Sequence, residues 1–558
     1  MKSLLRFAIM LTLTAALFLC LGAAAFAQDV AINAANFPDA VFRGFVAGFD
    51  FDGSGVLSDA ERANVRTIDV NYMGIGSLKG IEFFTEVTEL NCSGNQLTSL
   101  DVSHNTSLTD LWCSSNQLTS LNVGHLTALT RLECGSNQLT GLNVSGNTAL
   151  NLLSCAGNKL TGLDVSHNLA LTELHCTNNA LTSLDVSHNT SLTELWCGGN
   201  QLTGLDVSHN TSLTKLDCGS NKLTSLDVSH NLALTSLGCQ VNKLTSLDVS
   251  HNTDLTYLQC LVNQLTSLDV SHNTALTHLG CGDNQLGSLD ISHNTALTSL
   301  ECYNCQLTSL DVSRHTALTH LRCYSNKLTS LDVSHSTGLD WLWCWNNQLT
   351  SLDISHNTAL TWLRCSSNKL TSLDASRNTA LNTLDCGYNQ LTGLDVRKCT
   401  NLYKLMCAGN NLITLDISGC PVLINLVENQ EPAISYGRIQ YNQGANCLEY
   451  KEGVTLITVP GSGPAPDFIL PADLTTIEAE AFSGGAFTYA VVPAGVARIN
   501  SGAFANCPSL QYVEIQGAQT TISDNAFGGR TDFTIIAPAS SAAATWANQH
   551  NVNFIPAA

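Results

Sequence analysis

The chain has 558 residues and a formal charge of −21, from 24 basic and 45 acidic residues. That balance excludes a nucleic-acid partner, because gripping a phosphate backbone takes clustered Lys and Arg. Beyond the first 27 residues no stretch approaches the roughly 18 apolar residues of a membrane span, so a membrane-spanning chain is not expected.

Residues 1–27 read as a signal peptide. Lys2 and Arg6 precede an apolar run from Phe7 to Leu21, and Ala25-Phe26-Ala27 places small residues where a signal peptidase cuts. The mature chain is expected to begin near Gln28 with 22 basic against 45 acidic residues, a formal charge of −23. A secreted or surface-exposed location is expected from this leader.

Residues 28–86 carry an apolar helical pattern through Phe37, Val41, Phe42 and Phe45, which predicts a helical cap over the open end of the repeat array that begins at residue 87. Inside it, DFDGSGVLSDAE from Asp50 to Glu61 fits a calcium-binding EF-hand loop. Asp50, Asp52 and Ser54 fall at positions one, three and five, Gly55 at the sharp turn, the Val56 carbonyl at seven, Ser58 at nine and the bidentate Glu61 at twelve. Hard oxygen ligands of this kind make calcium the expected cofactor. The competing reading is a capping box in which Ser58 and Glu61 start the next helix, and the two are compatible.

From residue 87 to 422 the chain repeats. A cysteine recurs every 21 residues, sixteen times from Cys92 to Cys407, in units such as VTELNCSGNQLTSLDVSHNTS (Val87 to Ser107). The alternation of Leu90 and Cys92 predicts a short strand, Asn95 a turn, and Leu97 and Leu100 a return to the core. The pattern L-x-x-L-x-C-x-x-N-x-L resembles the cysteine-ladder leucine-rich repeats of internalin-type bacterial surface proteins, the internalin J kind. That resemblance implies a solenoid with one parallel strand per repeat, and it gives Asn95 and its successors the task of bonding the turn backbone. It also makes Cys305, which replaces one of them, a structural substitute. Parallel neighbours about 4.8 Å apart in register suit buried reduced thiols better than disulfides, which want Cβ atoms about 3.8 Å apart. Cys399 and Cys420 share another repeat position, and whether they or Cys447 pair stays open.

Eleven histidines, from His104 to His356, recur at one place in the repeat and are read as exposed repeat residues. A single file does not converge on one point as metal ligands must. Most follow an aspartate by three, as His104 follows Asp101, but no serine, histidine and aspartate set is singled out, so no hydrolase triad is supported. What is unique is aromatic. Trp112, Trp196, Trp341, Trp343, Trp345 and Trp362 lie beside the strand cysteines, where period-two alternation points side chains outward. Trp341, Trp343, Trp345 and Trp362, joined by Arg322, Tyr324 and Arg364, with His320 and Tyr303 adjoining, have the composition of a binding hot spot. Stiffening of the strands without a ligand is the competing reading.

From 423 to 466 the pattern dissolves into a terminal cap and linker, with GSGPAP at 461–466. In 467–558 a new period appears, with Phe482, Phe504 and Phe527 in EAEAFSG, NSGAFANC and SDNAFGG. This block resembles BspA-like leucine-rich repeats.

The expected protein is a non-enzymatic binder. The two resemblances imply adhesion to a protein on a host, matrix or bacterial surface. A glycan-binding module for mucin or cell-wall polysaccharide and a structural surface-layer component are the alternatives.

Overall fold

Three residues of every repeat are extended, and each such strand pairs parallel with the next in register because the repeat length is constant. The computed structural model describes residues 29–407, 409–412, 414–416, 420–421, 474–484 and 488–557, with short strand segments from 434 to 469. Residues 1–27, expected as a signal peptide, and 461–466, expected as a linker, lie outside the described residues. Two compact units divide at Gln264 and Leu265.

In the first unit the parallel strands run from Thr67–Asp69 to Tyr257–Gln259, with Glu89 opposite Asp110 and Lys215 opposite Ser236. The first of them precedes the cysteine period. Ile68 and Val70 supply the same inward apolar pair that Leu90 and Cys92 supply one turn later, and all four are fully buried. In the second unit the strands run from His278–Gly280 to Lys404–Met406. Along each strand the central leucine is buried and its neighbours face outward, the alternation a pleated strand imposes. Each buried leucine contributes about 1.5–3 kcal/mol of transfer free energy.

The cysteine after each strand is wholly enclosed, and all twenty described cysteines are free thiols. Burial pushes Cys92, Cys155, Cys218 and Cys323 up to about 12, so the nucleophilic thiolate is suppressed. A thiol reagent is therefore expected to label the native ladder at the rate of global opening, with all of its cysteines appearing together in denaturant. Labelling of the folded protein within seconds would contradict this.

Two asparagine files hold the turns. In the expected one, Asn95 donates to Val70 O at 2.8 Å and Cys92 O at 3.0 Å while accepting from Ile75 N at 2.9 Å. Cys305 fills that place with its thiol, donating to Cys281 O at 3.2 Å. The second file was not anticipated. Asn105 and its successors are 0% exposed, and each donates twice across one turn, as Asn210 does to Val186 O and Asn189 O, both at 2.9 Å. Where the sequence departs from asparagine here, the replacement keeps a donor at every position except Leu126. His315 Nε2 reaches Ile291 O at 3.2 Å, and the Ser336 hydroxyl reaches His315 O at 3.0 Å. Cys399 and Cys420 belong to this file, with their thiols directed at Ala375 O and Val396 O rather than at each other. The side chain of Cys447 lies outside the described residues.

At the N-terminal end, helix Ala40–Val46 is capped by Asp39, which accepts from Val41 N and Phe42 N, and its other oxygen accepts from Gly76 N. Phe37 and Phe42 are buried edge to face with centroids 6.0 Å apart. Of the expected apolar set Val41 instead faces out and Val46 faces in, because 42 and 46 are the pair one helical turn apart. Gly80, at φ 107°, lets the chain pass Phe37, where a Cβ would lie 2.2 Å from the ring.

In the C-terminal block, strands Tyr489–Val492, Tyr512–Ile515 and Thr534–Ala537 pair parallel, and Thr476–Ile477, Arg498–Ile499 and Thr521–Ile522 form a second sheet. Phe482, Phe504 and Phe527 stack at 5.1 and 5.4 Å, so that phenylalanine period is a core ladder. No described helix is long and apolar enough to cross a membrane.

Candidate functional site

Strands His320–Arg322, Trp341–Trp343 and Trp362–Arg364 are adjacent, and register sets Trp341 beside Trp362 and Trp343 between Arg322 and Arg364. The Arg322 guanidinium carbon lies 4.7 Å from the Trp343 ring centre and that of Arg364 lies 5.5 Å from it, both within cation–π range. Trp343 also meets Trp362 edge to face at 5.6 Å and stacks on Trp341 at 6.0 Å. One position beyond the cysteines, Tyr303, Tyr324 and Trp345 form a flat stack with centroids 4.5 and 4.4 Å apart. The structure brings every residue of the expected strip into one cluster.

Its character differs from expectation in one respect. The tryptophans are half-buried rather than exposed, because in-register neighbours cover one another's faces. Tyr303 lies flat over Gly282, where a Cβ would sit 2.7 Å from the ring. Burial pushes the Tyr303 phenol up to about 12, so it stays a donor. The indole N–H groups of Trp343, Trp345 and Trp362 are enclosed and have no hydrogen-bond acceptor. Two acids missed by sequence reasoning hold the arginines: Glu301 binds Arg322 at 2.9 Å and Asp385 binds Arg364 at 3.3 Å. Their outward strand positions were the available signal. Beside the stack a cleft of about 390 Å³ is lined by Asp283, Asn304, Gln306, Lys327 and Asn346. Trp112 and Trp196 belong to the other unit, and Trp112 donates to Glu133 at 3.2 Å.

The loop from Asp50 to Glu61 turns through Gly53 and Gly55, at φ 69° and 81°. Asp50 accepts from Ser54 N at 3.0 Å and Gly55 N at 2.8 Å, and the carboxylates of Asp50, Asp52 and Glu61 converge within 4.8 Å. Ser58 and Glu61 form the reciprocal capping box of helix Asp59–Asn64, and their hydrogen bond holds Glu61 below the usual carboxylate range. Strand Val56–Leu57 pairs antiparallel with Val30–Ala31, so the N-terminal segment occupies the place a second loop takes in paired EF-hands. The oxygen set, with Ser54 Oγ and the Val56 carbonyl 3.1 Å apart, is of the kind a hard divalent cation takes.

The histidine file is exposed, except that His125 is half-buried and bonds Val102 O at 3.2 Å. Its hydrogen bonding runs the wrong way for a triad. Ser103 Oγ sits on His104 Nδ1 at 3.1 Å and Asp101 accepts from Ser103 N, whereas a catalytic aspartate holds Nδ1 and leaves Nε2 to the serine.

Residues 463–544 match the BspA type leucine rich repeat region, and residues 190–233 match the leucine rich repeats family. A 71-residue segment is 45% identical to Internalin J of Listeria monocytogenes serotype 4b (strain F2365), covering 12% of this chain and 8% of that protein's length. The solved functional domain of InlJ from Listeria monocytogenes, described as including a cysteine ladder, is 38% identical with a TM-score of 0.59 over 70% of this chain and 83% of that one. A leucine-rich-repeat protein of Leptospira interrogans is 25% identical with a TM-score of 0.51, over 68% and 97% of the two chains. In-register strands, a buried cysteine at every turn and the turn asparagines together account for this likeness, and the chain belongs to the internalin-type, cysteine-ladder leucine-rich-repeat family, with BspA-type repeats at its C-terminal end.

Proposed function

We propose that this is a secreted or cell-surface adhesin-like protein that holds a protein of a host, matrix or bacterial surface against the strip of Arg322, Tyr324, Trp341, Trp343, Trp345, Trp362 and Arg364. The carrying observation is that cluster itself, half-buried aromatics interleaved with two arginines on an outward sheet face. Such a surface offers large rigid area at little entropic cost. The three enclosed indole donors without acceptors favour a partner rich in carbonyl groups, since re-packing the rings against it recovers about 1–3 kcal/mol per donor. Sugar stacking needs a free ring face, and the Tyr303 and Tyr324 faces are spent on one another, on Trp345 and on Gly282, while the Arg364 guanidinium carbon lies 5.6 Å from the Trp345 ring centre. An array carrying extracellular-matrix proteins beside mucin glycans tests the reading. Protein spots should retain the chain, and retention on glycan spots alone would overturn it.

For the loop from Asp50 to Glu61 the reading is calcium, held by Asp50, Asp52, Ser54, the Val56 carbonyl, Ser58 directly or through water, and Glu61, with the ion stiffening the cap. Calcium at about 100 times its dissociation constant would add about 2.7 kcal/mol to the cap. Unfolding of the N-terminal unit should accordingly shift to higher temperature in calcium, and Asp52→Ala should remove the shift. An unchanged midpoint in the wild type would refute calcium binding.

A further inference from the structure

The first unit carries a second group of metal-ligating side chains that belongs neither to the EF-hand loop nor to the aromatic strip. Strands Glu173–His175 and Glu194–Trp196 are neighbours, and register puts Glu173 directly opposite Glu194 and His175 opposite Trp196. Two carboxylates face to face across a sheet repel each other, an arrangement that ordinarily destabilises a pair. His175 joins them. Ligand atoms of Glu173, His175 and Glu194 all lie within 4.8 Å of one another. His175 Nε2 is enclosed, has no hydrogen-bond partner, and stands 4.0 Å from Glu173 Oε2, too far for a hydrogen bond. Its ring packs against Trp196 at 5.1 Å, which limits its rotation.

We infer that Glu173, His175 and Glu194 form a surface site for a divalent transition ion of the zinc type. Zinc bonds of about 2.0–2.2 Å at tetrahedral angles bring ligand atoms to about 3.3–3.6 Å from each other, so the three side chains, now within 4.8 Å, need to close by up to about 1.5 Å, and all three are only partly buried. One imidazole and two carboxylates are a three-ligand set that leaves the fourth tetrahedral position open. Lys215 holds Glu194 Oε1 at 2.8 Å, and its grip on one oxygen leaves the other to ligate while fixing the carboxylate's direction. Among the described residues only this group and the one at Asp50, Asp52 and Glu61 gather three such ligands, and the exposed histidine file forms none.

Titration of the full mature chain with zinc chloride by calorimetry, in calcium-saturated buffer to occupy the EF-hand loop, tests the site. One equivalent should bind. His175→Ala and the separate pair Glu173→Gln with Glu194→Gln should each weaken that step by more than about 100-fold, the upper end of the loss from an outer-shell partner alone. Circular dichroism checks that the variants stay folded, and His175→Gln serves if alanine disturbs the sheet. Absence of a one-equivalent step in the wild type, or its persistence in folded variants as for binding by the histidine file, would overturn the assignment.

Discussion

Trp343→Ala should lower affinity for the proposed protein partner by at least about 30-fold, or about 2 kcal/mol, while the solenoid stays folded. The ring stands between the guanidinium groups of Arg322 and Arg364 and touches Trp341 and Trp362, so its loss frees the whole cluster at once. The core is held elsewhere, by the fully buried Leu342 and Cys344 on either side in sequence. Thermal unfolding should therefore fall by only a few degrees, in line with about 2–4 °C per kcal/mol for a large domain. Trp112→Ala in the other unit is the control and should leave binding unchanged. Surface plasmon resonance on a matrix protein retained by the array measures both, and equal binding by wild type and Trp343→Ala would move the interface off this strip.

The second large effect concerns stability. Asn210 is 0% exposed and satisfies two carbonyls of the preceding turns. Replacing it with leucine keeps the volume and removes both side-chain donors, leaving Val186 O only its bond from Asn189 N and Asn189 O only its bond from Leu192 N, at about 0.5–1.5 kcal/mol for each hydrogen bond lost. The molecule contains its own version of this change. Leu126 occupies the same position, and there His125 turns inward so that its Nε2 reaches Val102 O at 3.2 Å. His209, next to Asn210, is placed to do likewise. Asn210→Leu with His209→Ala should cost about 1–3 kcal/mol in urea unfolding, more than the sum of the two single changes. Strict additivity would mean that the histidine provides no rescue. Asn210→His should be mild, as His315 already fills the position elsewhere.

Repetition decided how much was readable beforehand. The strand, the enclosed cysteine and the Asn95 file were legible because each occurs at one spacing and tolerates almost no exchange. The second asparagine file had the same period, but Leu126, His315, Ser336, Cys399 and Cys420 interrupt it, and only hydrogen bonding unites amide, imidazole, hydroxyl and thiol as donors. The half-burial of the tryptophans was hidden for another reason. Alternation says that Trp343 points away from the core, but how far its neighbours cover it depends on the strands on either side.

The amino-acid sequence by itself determined the solenoid, its register and the two stretches that break from repetition, because a constant repeat length with one strand per unit admits a single way of stacking. Tertiary structure decided what those outward side chains become. Glu173 and Glu194 are 21 residues apart in the chain and directly opposed in the sheet, and Arg322 and Arg364 are 42 apart and close on one ring. Distances of a few ångströms between side chains of different turns arise only when parallel strands hold them in register, and those distances, rather than the period, set the chemistry of each surface.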